Sequence, residues 1–349
     1  MIFIFAAAVV LLFIGSRPAK LGAFNRDYMS KDVTADINGL FVLLVFMCHI
    51  TGYLDLNSAL GRAWLEVKDW IGQLVVVTFL FYSGYGMMCS VVKKGTPYVN
   101  GIFRTKFLSL LVHFDIAVLL FLIMDILLGR KPGLVKTLLA LLTWESIGNS
   151  NWYITAVLCL YLIMIAAFLV FRRKNLYGIT AMTVLTVGLT VLFIAVGRPT
   201  WYYNTLILFP AGMWYAYFKE RIDGLVLKNR VSYIVSLVAA SAVFGVSHMY
   251  RFVYFLVFWL CSVAFMFIIL LVTMKIKIGN PVLSMLGRHV FSVYILQHIP
   301  MTVLKILGLA GNVFVYFFLC FAVTLLMAVA FDAIMKKLDA KLFTPKQKA

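Results

Sequence analysis

Charge is what this chain of 349 residues is short of. Asp, Glu, Lys and Arg make up 13% of it, where a soluble globular domain carries about 25%. Acid is scarcer still, with 13 Asp and Glu against 31 Lys and Arg. So few polar groups cannot cover a water-soluble body, and lipid must cover much of this one. The basic excess, formally +18, does not indicate nucleic acid, because Lys and Arg stand in short clusters between apolar runs of membrane-spanning length. The five cysteines (Cys48, Cys89, Cys159, Cys261, Cys320) lie in apolar runs without CxxC spacing. That pattern argues against a disulfide framework or a metal site, and the cysteines read as small apolar residues. The loops are short, no soluble domain is attached, and no internal repeat stands out.

What is present is hydrophobic: 64% of the chain, with 15% aromatic. Apolar runs fall at about 2–16, 37–54, 71–92, 107–128, 152–171, 178–197, 203–218, 231–247, 252–273, 289–307 and 312–334. Each is near the length that roughly 30 Å of hydrocarbon requires. The expected fold is an all-α polytopic transmembrane bundle of about eleven helices. The run from Leu134 to Trp144 is too brief to span and reads as interfacial or re-entrant. The first run has the length of a signal-peptide core, but its positive charges follow it, the flank order of a retained anchor with its N-terminus outside. With loops after odd-numbered runs taken as cytoplasmic, 23 Lys and Arg fall inside and 8 outside. That asymmetry predicts a cytoplasmic C-terminus.

One imidazole, His49, sits deep in the second run (Asp36 to Tyr53), where a titratable side chain needs a partner or a task. This topology puts it toward the outer half of the membrane. Phe79 to Gly86 sets Ser83, Gly84 and Gly86 among aromatics, which suits close helix packing first and ligand approach second. Asn151-Trp152-Tyr153 opens another run at the outer surface, ordinarily an interfacial anchor. Phe291 to Pro300 carries Ser292, Tyr294, Gln297 and His298 on one span, with Tyr294 and His298 on one face. Four hydrogen-bonding groups there point into the bundle. His113 and Asp115, two apart, do not share a helical face and do not form a dyad. Asp125, His248 and His289 stand near helix ends and read as wetted.

In order, these segments resemble the acyltransferase 3 family, integral-membrane transferases that put acetyl groups on surface polysaccharides. The matching pieces are Gly39 to His49, Phe79 to Gly84, Trp152 to Ile154, and Ser292 to Pro300. The resemblance covers roughly Thr34 to Leu338, a membrane acyltransferase domain over 34–338 with ten core helices. Residues 1–33 add an N-terminal helix and a basic loop, and 339–349 form a basic cytoplasmic tail. The family has Arg or Lys eleven residues before the histidine; here that position is Asn38, which cannot pair with phosphate or carboxylate in the same way. Lys31 and Arg26 are the available substitutes.

The resemblance implies acetyl-coenzyme A as cytoplasmic donor and a hydroxyl of a surface or lipid-linked glycan as acceptor. Lys93, Lys94, Arg104, Lys106 and Arg288 are the candidates to line the donor's approach, with Asn38 beside them, although such residues also serve as plain positive-inside anchors. His49 is the expected general base. Ser83, Asn38 or Tyr294 would donate to the oxyanion, and His298 would act as second base, orienting partner or structural hydrogen bonder. The expected location is a bacterial plasma membrane, since no organellar targeting segment is present. The rival reading is a transporter or flippase-like protein for a glycan or lipid precursor, with His49 and His298 lining its path. It predicts paired broken helices in two related halves, and the halves here do not match.

Overall fold

The computed structural model describes residues 1–20, 22–172 and 174–343. Arg173, Lys346 and Lys348, counted above among the cytoplasmic charges, lie outside the described residues, as does most of the basic tail. The architecture is the expected all-α bundle, and every one of the eleven apolar runs falls on helix.

In chain order the helices are α1 (Ile2–Phe13), α2 (Lys31–Ile50), α3 (Ala59–Ile71), α4 (Val77–Lys94), α5 (Thr96–Ile102) and α6 (Ser109–Leu127). Then come α7 (Leu134–Leu141), α8 (Trp152–Val170), α9 (Asn175–Ala195), α10 (Leu208–Val226), α11 (Arg230–Met249) and α12 (Phe255–Lys275). The chain closes with α13 (Pro281–Arg288), α14 (Val290–Leu296), α15 (His298–Ile306) and α16 (Val313–Leu342). Among the described residues, eight continuous helical segments are long and apolar enough to cross a membrane. The remaining three runs lie on Ile2–Phe13 and Val290–Ile306, which are shorter, and on α10, whose last two turns carry Lys219, Glu220, Arg221 and Asp223. The brief run from Leu134 is α7, of eight residues.

Local chemistry sets several boundaries. Ser30 caps α2 by accepting from Val33 N, and Ser58 caps α3 through Gly61 N. Asn280 accepts from Val282 N and Leu283 N, and Pro281 follows at the first helical position, where its missing N–H costs nothing. Pro300 leaves the Leu296 carbonyl without a helical donor, and the helix breaks between α14 and α15 at Gln297. Between α5 and α6, Phe103–Leu108 winds as a π-helix, a rare form found mostly at functional sites.

Two apolar cores divide the molecule. One gathers α2, α6 and α13 to α16; the other gathers α4 and α8 to α12. Each has a glycine seam in which backbones meet. A side chain at Gly39 would collide with the Leu283 backbone, and one at Gly287 with that of Ala35, so α2 and α13 lie in close contact. Gly84 abuts Phe209 and Gly212 abuts Phe81, closing α4 on α10. The packing role expected for the Ser83–Gly86 stretch thus falls to Gly84, while Gly86 faces open space.

The N-terminal segment is tied to the same scaffold. Arg17–Pro18 pairs antiparallel with Ile276–Lys277, and the Asn280 amide donates to the carbonyls of Leu11 (2.8 Å) and Ile14 (3.3 Å). Lys277 Nζ stands 2.5 Å from Asp27 Oδ2. That ammonium holds the Asp27 carboxyl below the usual carboxylate range, first through the hydrogen bond and then by charge.

Candidate active site

The seam between the two cores opens into a cavity of about 700 Å³, well within the range of small-molecule sites. The walls come from both cores: α2 and α14 on one side, α4 and α8 on the other, with the π-helix, α6 and α16 at one end. Asn38, Ser83, Lys106 and Tyr294, four residues singled out from the sequence, line it. Tyr294 is buried, and its hydroxyl has no hydrogen-bond partner among the described residues; the same holds for Asn38 Oδ1 and the Tyr82 hydroxyl on the same walls. Buried polar atoms normally have partners, so this wall is set up to bond something that enters.

His49 stands one helical turn beyond Val45, which lines the cavity, and beside Tyr294, whose ring centroid is 6.0 Å away. Its imidazole stacks on that of His298 at 4.9 Å with 25° between planes. The two histidines come from helices some 250 residues apart in sequence, brought together because α2 packs against α13, α14 and α15. The break at Gln297 positions this pair: it ends α14 and begins a new helix at His298 itself. The Gln297 amide donates to Tyr294 O at 2.9 Å. The Tyr53 hydroxyl lies 2.9 Å from His298 Nδ1 and 3.4 Å from Thr302 Oγ1, which fixes the second ring. His49 Nδ1 is buried and has no partner among the described residues. One imidazole is therefore oriented and the other retains an unused nitrogen, the arrangement a proton acceptor needs.

The basic residues divide. Lys106 lines the cavity, turned onto it by the π-helix. Arg104, Lys93 and Arg288 do not line it and are exposed. Arg104 donates to the Leu342 carbonyl at 2.6 Å, bracing the end of α16.

Three expectations for lone polar residues change. His248 is buried rather than wetted, with Nε2 2.8 Å from the Trp70 carbonyl and Arg251 beside its other nitrogen. Asp125 is buried and pairs with Arg130 at 3.6 Å. His289 is half-buried and its Nδ1 bonds Asp332. In each case the fold supplies a partner, which burial demands: a carbonyl at the end of α3, a guanidinium in the loop after α6, and a carboxylate within α16.

The sequence reading missed the carboxylates of α16. Asp332 accepts from Ser292 and His289, and Asp339 accepts from Ser109 (3.1 Å) and His113 (2.9 Å). Both Asp residues and His113 line the cavity. A signal was available: Asp332 and Asp339 are seven apart, hence on one face, and are the two acidic residues of a long helix whose first nineteen residues carry no charge. His113 indeed forms no pair with Asp115, whose Oδ1 is buried and unpartnered among the described residues.

Apolar helices long enough to cross a membrane, packed around a cavity with paired imidazoles beside it, define a multi-pass membrane protein. The acyltransferase domain family matches residues 37–333, nearly the whole helical body, and the chain belongs to that family. It is a membrane acyltransferase. No curated protein and no solved structure matches the chain significantly.

Proposed function

We propose that this protein moves an acetyl group from acetyl-coenzyme A, taken from the cytoplasm, to a hydroxyl of a cell-surface or lipid-linked glycan in a bacterial plasma membrane. The observation that carries the proposal is the His49–His298 stack beside the unpartnered Tyr294 hydroxyl, which lines the cavity between the two cores.

The chemistry follows from those groups. The acceptor hydroxyl gives its proton to the free nitrogen of His49 as its oxygen attacks the thioester carbon. The charge that develops on the carbonyl oxygen needs a donor on the cavity wall, a part that Tyr294 or Ser83 plays. When the carbon–sulfur bond breaks, the imidazolium returns the proton to the thiolate. An ester and a free thiol result, with no proton gained or lost overall. His298, held by Tyr53, orients the His49 ring. Lys106 serves the donor at the cavity rim; Arg104, Lys93 and Arg288 act only at its approach. Asn38 supplies a neutral polar contact where a cation is the family's pattern. No metal takes part.

Purified protein in nanodiscs should hydrolyse or transfer acetyl-coenzyme A, and His49→Ala at matched folding should lower kcat by about 10²–10⁴-fold, the usual worth of a general base. Wild type that neither binds nor turns over acetyl-coenzyme A refutes the proposal, and the transport reading then leads.

A further inference from the structure

The donor end of the cavity is not the uniformly basic funnel that a polyphosphate would require. Two carboxylates, Asp332 and Asp339, stand two turns apart on one face of α16 and line it. Each is held by a serine and an imidazole from a different helix. Asp339 takes both of its bonds on Oδ1, and Oδ2 makes none among the described residues. Across the same space Asn38 Oδ1 and the Tyr294 hydroxyl are also unpartnered, Tyr294 being more than nine-tenths buried. Among the described residues Lys106 is the single ammonium on these walls, and Arg104 stays outside them. Phosphates brought against this row would face like charge. What the row favours is an uncharged chain rich in N–H and O–H donors, because a carboxylate is an acceptor with several lone-pair sites.

We propose that Asp332 and Asp339 form the binding track for the amide-bearing arm of the thioester donor, with its phosphates held outside, at the Lys106 rim. This rests on the acyl-donor reading above and adds which part of the donor the cavity recognises. The arm of coenzyme A carries two amide N–H groups and a hydroxyl, so its donors match the acceptors, and its thioester end points past Tyr294 toward His49. The track also assigns His113, His289, Ser109 and Ser292 as positioning residues, which hold the carboxylates in line.

The test separates the two halves of the donor. Binding of coenzyme A, of pantetheine and of adenosine 3′,5′-bisphosphate is measured on the full chain in nanodiscs. Asp332→Ala and Asp339→Ala should each weaken pantetheine about tenfold, the loss expected for a hydrogen bond to a charged group, while bisphosphate affinity changes less than about threefold. Because removing a carboxylate can unfold a helix pair, Asp332→Asn and Asp339→Asn are measured beside them. These keep one acceptor and should show a smaller loss in the same order. Pantetheine that binds every variant as it binds wild type overturns the track, as does a tenfold gain in bisphosphate affinity, which would put phosphates against the carboxylates. Wild type that binds none of the three ligands overturns the donor reading itself. Wild type that binds coenzyme A, with pantetheine indifferent to both carboxylates, overturns the track alone.

Discussion

Gly84 and Gly86 lie one residue apart either side of Tyr85 on α4, and the structure assigns them opposite responses to the same change. A methyl group at Gly84 would fall on the carbonyl oxygen, carbonyl carbon and Cα of Phe209, well inside van der Waals contact. Those atoms are backbone, so no rotamer change relieves the overlap. Either α4 and α10 separate or one of them bends. Overpacking of this kind costs about 1–3 kcal/mol and sometimes more, and the opposing Gly212 leaves no slack, since it presses on Phe81 and Tyr85 in turn. At Gly86 nothing lies within 4 Å of the added methyl. There the change only raises helix propensity, worth up to about 1 kcal/mol. Thermal unfolding in one detergent should therefore show Gly84→Ala lowered by about 5 °C or more, and Gly86→Ala unchanged or slightly raised. Because Ser83 sits beside the strained position and lines the cavity, Gly84→Ala should also lose donor binding. Equal melting temperatures for the two variants would refute the seam.

Other outcomes follow from single contacts. Tyr53→Phe removes the hydroxyl 2.9 Å from His298 Nδ1; stability should fall by only about 0.5–1.5 kcal/mol, while turnover falls much further, and equal small losses in both would make Tyr53 merely structural. Asn280→Ala removes the cap of α13 and both bonds to α1, at a cost of about 1–2 kcal/mol, read as faster protease cleavage between residues 14 and 30. The Asp27–Lys277 pair should be pH-sensitive. A carboxyl whose folded pKa is depressed adds stability above its unfolded value, near pH 4, and loses it as pH falls through the folded one. Protection of the Arg17–Pro18 segment should thus decline on acidification below about pH 4 in wild type and remain flat in Asp27→Asn; parallel profiles would count against the pair.

Much of this was legible in the sequence, for identifiable reasons. Length and apolarity alone locate the helices, because lipid leaves the backbone no alternative. The polar helix around Tyr294 and His298 was readable as inward-facing, since four hydrogen-bonding groups in one span need protein around them. What the sequence withheld depends on long-range pairing. Nothing local to His113 announces Asp339, 226 positions away, and nothing local to His289 announces Asp332. His248 looked like a surface residue because its partner, the Trp70 carbonyl, belongs to a helix end 178 residues earlier. The π-helix at Phe103–Leu108 was equally hidden, its sequence being an ordinary mixture of aromatic, basic and apolar residues.

The bonds from Asn280 and from Ile276–Lys277 to the first eighteen residues carry a consequence for biogenesis. Helix α1 receives these partners from segments made some 260 residues after it. At about 5–20 residues per second, Arg17 waits some tens of seconds for Lys277. Through that interval the membrane insertion machinery has to hold α1 without its final neighbours, so a chain truncated before Ile276 should insert yet leave its leading helix undocked.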